Sequence, residues 1–168
     1  HPSLSLAVSS DDILPLQQDL YIYENKNVRP IVYFAKGVQV IQTNEQQAFD
    51  LLKTNAWPER RSLIECDACT LEQSDGQGTV TVLRQDATAM EIETESVTPQ
   101  WLVISVNRLP GWTVTVDGDH IEPAYANMTF FALPIEGGKH SISLRFSAMN
   151  LLRTSLNWIM TGHMNFKQ

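Results

Sequence analysis

Residues 112–118 read Trp112-Thr113-Val114-Thr115-Val116-Asp117-Gly118, and they set the reading of everything around them. Trp112, Val114 and Val116 alternate with two threonines, the period of a half-buried strand. Asp-Gly after such a run predicts a type I′ hairpin, because both central residues of that turn need positive φ. The same period extends outward. Upstream, Val80 and Val82 alternate, then Met90 and Ile92, with Glu91, Glu93 and Glu95 on the other face, and Trp101 to Val106 adds a further strand. Downstream, Thr129 to Ile135 and Lys139 to Phe146 flank Gly137-Gly138, with His140, Ile142, Leu144 and Phe146 on one face; this reads as a second hairpin. Five to seven short strands separated by turns predict a mainly β chain, an antiparallel, jelly-roll-like β-sandwich, with a closed barrel as the other topology.

The first half adds a strand and helix extension. Residues 1–19 mix Ser, Asp, Gln and two prolines without clear period and read as a lead-in segment or linker. Leu20 to Tyr23, and Pro30 to Ala35 continuing past a bend at Gly37 to Val38–Ile41, are rich in β-branched and aromatic residues. Asn44 followed by Gln47 suggests a capping box, and Ala48, Leu51 and Leu52 recur at helical spacing, so a helix is expected over about 45–54. Asn55 and Trp57-Pro58 should stop it, and Ser62–Glu65 should return as a strand. The expected organisation is a lead-in over 1–19, an extension over 20–75 packed on the sandwich, the sandwich core over 76–149, and a C-terminal helix or membrane-segment stub over 150–168.

Composition narrows the function classes. The 168 residues are 43% hydrophobic and 18% charged, too apolar for a disordered tail. A net charge of −7, with no cluster of Lys or Arg, disfavours nucleic acid as a partner. The longest apolar runs, Ile31–Ala35 and Trp101–Ile104, are far shorter than the roughly 20 residues of a membrane-crossing helix. The chain starts at His1 without a basic and apolar leader, which suggests an excised or processed fragment.

Cys66-Asp-Ala-Cys69 has the spacing of a zinc or redox pair. His1, His120, His140 and His163 add no supporting spacing for zinc, and the residues after Cys69 run into a turn rather than a helix. The favoured reading is a local disulfide in a loop or two idle thiols, the disulfide being favoured in an oxidising compartment, with no metal and no cofactor. Glu91, Glu93 and Glu95 read as a solvated face rather than paired catalytic carboxylates, and Asp117 and Asp119 as turn residues. There is no nucleophile elbow, phosphate loop or His-Glu-x-x-His. Asn127-Met128-Thr129 matches a glycosylation acceptor, a motif with many chance occurrences. For ligand contact, the strand ends after Pro110-Gly111 and before Phe130 nominate Trp112, Tyr125 and Asn127. Aromatic faces can stack on a sugar ring while an amide bonds its hydroxyls. The competing reading buries Trp112 in the core and has Asn127 bond backbone at a turn.

Leu109-Pro-Gly-Trp-Thr-Val-Thr-Val-Asp-Gly118, Ala126-Asn127, Phe130, Ala132-Leu-Pro-Ile135 and Gly138-Lys-His140 together resemble the C-terminal extracytoplasmic part of bacterial YfhO-type membrane proteins. Upstream, Leu20–Asn25, Arg29-Pro30, the 45–54 helix and Pro58-Glu-Arg-Arg61 look similar, so the resemblance covers about residues 20–147. It departs at Asn107 and Arg108, where the family often has Tyr or Phe, and at Tyr125 and Phe131, where it often has Arg. The resemblance implies a β-rich domain outside the cytoplasmic membrane, belonging to a protein related to lipid-linked sugar transferases whose catalytic acid lies elsewhere. The expected function is thus a non-catalytic accessory domain positioning a glycan or cell-envelope polymer acceptor. Its partners would be the membrane-embedded remainder and a glycan or lipid-linked sugar. A free-standing periplasmic carbohydrate-binding β-sandwich is the alternative. Either way, the isolated chain is expected to be soluble and silent towards polyprenyl-phosphate sugars.

Overall fold

The computed structural model describes residues 4–9, 21–25, 28–54 and 61–161. The chain divides into two compact units, residues 1–30 and 31–168. In the first, β1 (Leu4–Ser9) pairs antiparallel with β2 (Tyr21–Asn25), with an irregularity between Leu6 and Val8. The expected lead-in over 1–19 therefore contains a strand. Leu4, Leu6 and Val8 do alternate with Ser5, Ala7 and Ser9, a short period-two run beside a polar, proline-containing stretch.

The second unit is the expected sandwich. A five-stranded antiparallel sheet runs in the order β10 (Asp119–His120), β9 (Trp112–Val116), β13 (Gly138–Phe146), β7 (Ala89–Ser96), β6 (Thr79–Gln85). A six-stranded sheet runs β3 (Val32–Phe34), β8 (Gln100–Asn107), β12 (Phe130–Ile135), β11 (Ala124–Ala126), β5 (Ser62–Glu65), β4 (Val38–Ile41). Among the described residues, only β4 and β5 pair in parallel, with helix α1 (Glu45–Thr54) in the crossover between them. The strands of 31–65 are thus members of the larger sheet, hydrogen-bonded to strands of the 76–149 segment, rather than a layer packed on it.

β3 and β4 lie at opposite edges of the six-stranded sheet, yet only residues 35–37 connect them. Such a link spans at most about 14 Å, whereas a flat sheet would hold its edge strands about 24 Å apart. The sheet must curl. Within it, the Tyr33 hydroxyl of β3 lies 3.2 Å from the Ser62 hydroxyl of β5, and the Ser62 N–H extends the β4–β5 ladder by donating to the Gly37 carbonyl at 3.2 Å. Inside the curl lie Tyr33, Ala35, Ile64, Trp101, Val103, Ala126 and Ala132, where three alanines leave room for tyrosine and tryptophan. The alternate residues Val32, Phe34, Leu102, Ile104, Phe131, Leu133 and Ile135 face outward onto Met90, Ile92, Val114, Ile142 and Leu144 of the second sheet. Around the rest of the outer face, Ala48 of α1 packs on Ile41 and Leu63.

The local signals behave as expected at α1. Asn44 Oδ1 accepts the Gln47 N–H at 2.9 Å, capping the helix. The Asn44 N–H itself bonds the buried Glu65 carboxyl, whose proton affinity is raised chiefly by burial and then by Glu45, against this bond and one from Met128 N–H. The Trp57-Pro58 stop lies outside the described residues. The C-terminal helix, α2, spans Ala148–Thr161.

Asp117 and Gly118 have φ of +54° and +91°, as a type I′ turn requires between β9 and β10. A Cβ at Gly118 would have open space around it, so only backbone strain opposes substitution there. Gly118→Val should therefore lower stability by about 1–2 kcal/mol in thermal denaturation; an unchanged melting temperature would contradict the turn.

Gly137-Gly138 is not a hairpin. β12 belongs to the six-stranded sheet and β13 to the five-stranded one, so the chain crosses between layers at this point. The β7 to β8 link makes the same crossing alongside: a Cβ on Gly137 would sit 2.6 Å from the Val97 carbonyl oxygen. The glycine pair serves close backbone approach and a φ of +133° at Gly138, rather than a two-residue turn.

Candidate functional site

The loop after β8 turns at Pro110-Gly111. Gly111 has φ of +105°, and a Cβ there would meet Phe146 at 2.9 Å and Leu151 at 3.1 Å. The close approach delivers Trp112 at the start of β9, where its ring sits edge-on to Phe146 at 5.4 Å and to Phe131 at 6.2 Å. The hydrophobic body of Trp112 thereby closes the side of the sandwich while the residue stays half-buried. From the other sheet, β11 presents Tyr125 beside it.

Trp112 and Tyr125 line one depression of about 320 Å³, together with Arg108, His120, Ile121 and Glu122. The Arg108 guanidinium lies over the Tyr125 ring, 4.0 Å from its centroid, a cation–π stack. It also pairs with the Glu122 carboxylate. The site thus combines two aromatic surfaces with a cation, an anion and an imidazole, the mixture of apolar wall and few polar groups that a small polar ligand needs.

Asn127, the third nominated residue, is not among those lining this depression. Its Oδ1 accepts the Leu63 N–H at 3.0 Å and its own N–H donates to the Leu63 carbonyl at 2.8 Å. With Asn127 and Met128 at φ of +49° and +72°, it extends the β5–β11 pairing around the turn into β12. Cys66 and Cys69 form a disulfide with Cα atoms 5.7 Å apart, at the end of β5 against the inside of the curled sheet. Glu91 and Glu95 pair with Arg145 at 3.0 Å and Lys139 at 3.4 Å on the outer face of the five-stranded sheet, with Glu93 exposed between them.

A second constellation surrounds Asp117. Besides its turn role, its carboxylate accepts the Ser141 N–H at 2.8 Å and lies 2.7 Å from His140 Nδ1. The Ser141 bond, and after it the His140 ring, hold this carboxyl below the usual carboxylate range. Across the ladder from His140 stands Thr94, and both His140 Nε2 and Thr94 Oγ1 are buried with no hydrogen-bond partner among the described residues. Hydroxyl, imidazole and carboxylate resemble a hydrolytic triad in composition only, because such a triad needs a bond from hydroxyl to Nε2 and an accessible nucleophile. Thr94 is better read as an uncompensated buried hydroxyl. Thr94→Val should raise stability by about 1 kcal/mol; a lowered melting temperature would show that the hydroxyl has a bound partner.

Neither Arg108, noted from sequence only as a departure from the family pattern, nor Glu122 was nominated for ligand contact. Their one signal is charge, Arg beside the Leu-Pro-Gly-Trp turn and Glu in the link to β11, and nothing local pairs residues 14 positions apart. Among the described residues, no group of three or more His, Cys, Asp or Glu could hold a metal ion, and no helix is long and apolar enough to cross a membrane. Neither the curated proteins nor the solved structures contain a match to the chain. Residues 42–156, which carry α1, the whole five-stranded sheet, β5, β8, β11 and β12 of the six-stranded sheet and the Trp112–Tyr125 depression, match the family described as bacterial membrane protein YfhO. That match covers more than half of the chain, which therefore belongs to the YfhO family of bacterial membrane proteins.

Proposed function

We propose that the chain is a non-catalytic, extracytoplasmic accessory domain of a glycosyltransferase-like membrane protein, and that it holds a glycan or cell-envelope polymer near a site elsewhere in that protein. The observation that carries the reading is the meeting of Trp112 and Tyr125 in one depression from two different sheets. An aromatic wall receives the C–H face of a sugar ring, beside a charged edge formed by Arg108 and Glu122. Family membership supports attachment to a membrane protein, and the Cys66–Cys69 disulfide is in keeping with an oxidising, extracytoplasmic compartment. In this role the partners are the membrane-embedded remainder and a glycan or lipid-linked sugar.

The test is a glycan array probed with the wild type and with Tyr125→Ala. Tyr125 is partly exposed at the wall, whereas Trp112 also packs on Phe131 and Phe146, so the tyrosine variant separates binding from folding. Binding should fall about tenfold or more, a loss of about 1.4 kcal/mol. Unaltered binding by a folded Tyr125→Ala protein, or sugar transfer from a polyprenyl-phosphate donor by the purified chain above a heat-killed control, would overturn the reading.

A further inference from the structure

The polar edge of the depression is more specific than sugar hydroxyls require. Arg108 is only 17% exposed at its side chain, yet among the described residues its guanidinium makes one hydrogen bond, from Nη2 to Glu122. A guanidinium carries five N–H donors in a rigid fork. The others are not among the buried atoms lacking partners, so they reach solvent, and Arg108 itself lines the depression. Stacking on Tyr125 fixes the guanidinium plane, so the fork is oriented before any ligand arrives. Glu122, by contrast, is 78% exposed and has no other bond to a described residue. An ion pair held by so exposed a carboxylate contributes little and is easily exchanged for another anion.

We propose that the depression selects a sugar carrying an oxyanion, a carboxylate or a phosphate, which displaces Glu122 and is gripped bidentately by Arg108 while its ring lies against Tyr125 and Trp112. This rests on the sugar-binding reading above and adds the ligand's charge to it. Glu122 acts as an internal stand-in for the ligand's anion. A mostly buried guanidinium keeps a partner when the site is empty, and a neutral sugar, which cannot replace that partner, gains only the aromatic contact. The net charge of −7 repels anions at long range, so the preference must come from this one local cation rather than from the field of the whole chain.

Calorimetric titration of the chain with methyl glucoside, its 6-carboxylate and its 6-phosphate tests this directly. The two anionic forms are expected to bind at least about tenfold more tightly than the neutral glycoside. Their order of affinity distinguishes a uronic-acid polymer from a sugar phosphate as the source. Arg108→Gln should erase the difference between charged and neutral forms. Glu122→Gln, at an exposed position that leaves folding intact, should tighten the anionic forms about three- to tenfold relative to the neutral one. It decides the matter even where Arg108→Gln fails to fold. Equal affinity for neutral and anionic forms, or no gain in Glu122→Gln, would overturn the oxyanion inference while the sugar-binding reading stands. Binding of none of the three would overturn both.

Discussion

Trp101→Ala is expected to cost about 3–5 kcal/mol and to lower the melting temperature by about 10 °C or more. Trp101 is 0% exposed and fills the inside of the curled sheet, against Tyr33, Ala35, Val103 and Ala132. Its indole N–H donates to the Leu71 carbonyl at 2.8 Å, which ties the segment after the disulfide to the sheet. Alanine would leave a cavity that the curl cannot close, because the neighbouring positions are already alanines and the strands are held in register by their ladders. Urea or thermal unfolding checks this. A shift of only about 3 °C would mean that Trp101 does not support the curl.

The second large effect is at Gln100, the residue before it. Its Nε2 donates to Asp75 Oδ1 at 2.6 Å and to Thr98 Oγ1 at 2.9 Å, while its Oε1 lies 2.8 Å from Ser74 Oγ and accepts the Gly76 N–H at 3.1 Å. Both amide hydrogens and the amide oxygen of this buried side chain are engaged, the Ser74 hydroxyl lying between Oε1 and the Ala35 carbonyl, and these bonds serve segment 74–76 and the β7–β8 link. Gln100→Leu keeps the volume but leaves those groups unpartnered, for an expected loss of about 2–4 kcal/mol. Hydrogen exchange should locate the damage, with the Gly76 and Gly37 amides losing protection first, since the Gly37 N–H donates to the Ser74 carbonyl at 2.7 Å. Unchanged protection at both amides would contradict this role for Gln100.

What was legible in the sequence was what is decided within a few residues. Asp117-Gly118 specifies its turn through its own φ preferences, and Asn44 caps α1 through a bond three residues long. Gly137-Gly138 was misleading because a glycine pair allows a hairpin and a sheet crossing alike; the choice lies with the Val97 carbonyl, distant in sequence. The curl was not legible either. It depends on Ala35, Ala126 and Ala132 meeting around Trp101, and nothing in any one strand announces that meeting.

The candidate site divides along the same line. Trp112 and Tyr125 were readable as strand-end aromatics, and the sandwich does bring them together. Asn127 followed the same positional logic, but its amide oxygen is committed to Leu63, 64 residues away. Arg108 and Glu122 gain their meaning only from Tyr125 beneath the guanidinium and from the pair they make with each other.

The central claim, that a sugar ring lies against Trp112 and Tyr125, is tested most directly by nuclear magnetic resonance of the labelled chain during titration with methyl glucoside and its 6-phosphate. Of the four tryptophans, Trp112 is in the depression and Trp101 is sealed within the curl. The account predicts saturable shifts of the Trp112 indole N–H and the Tyr125 ring signals, with the Trp101 indole unmoved. Saturable binding that leaves the Trp112 and Tyr125 signals in place, or no saturable shift at all, would contradict it.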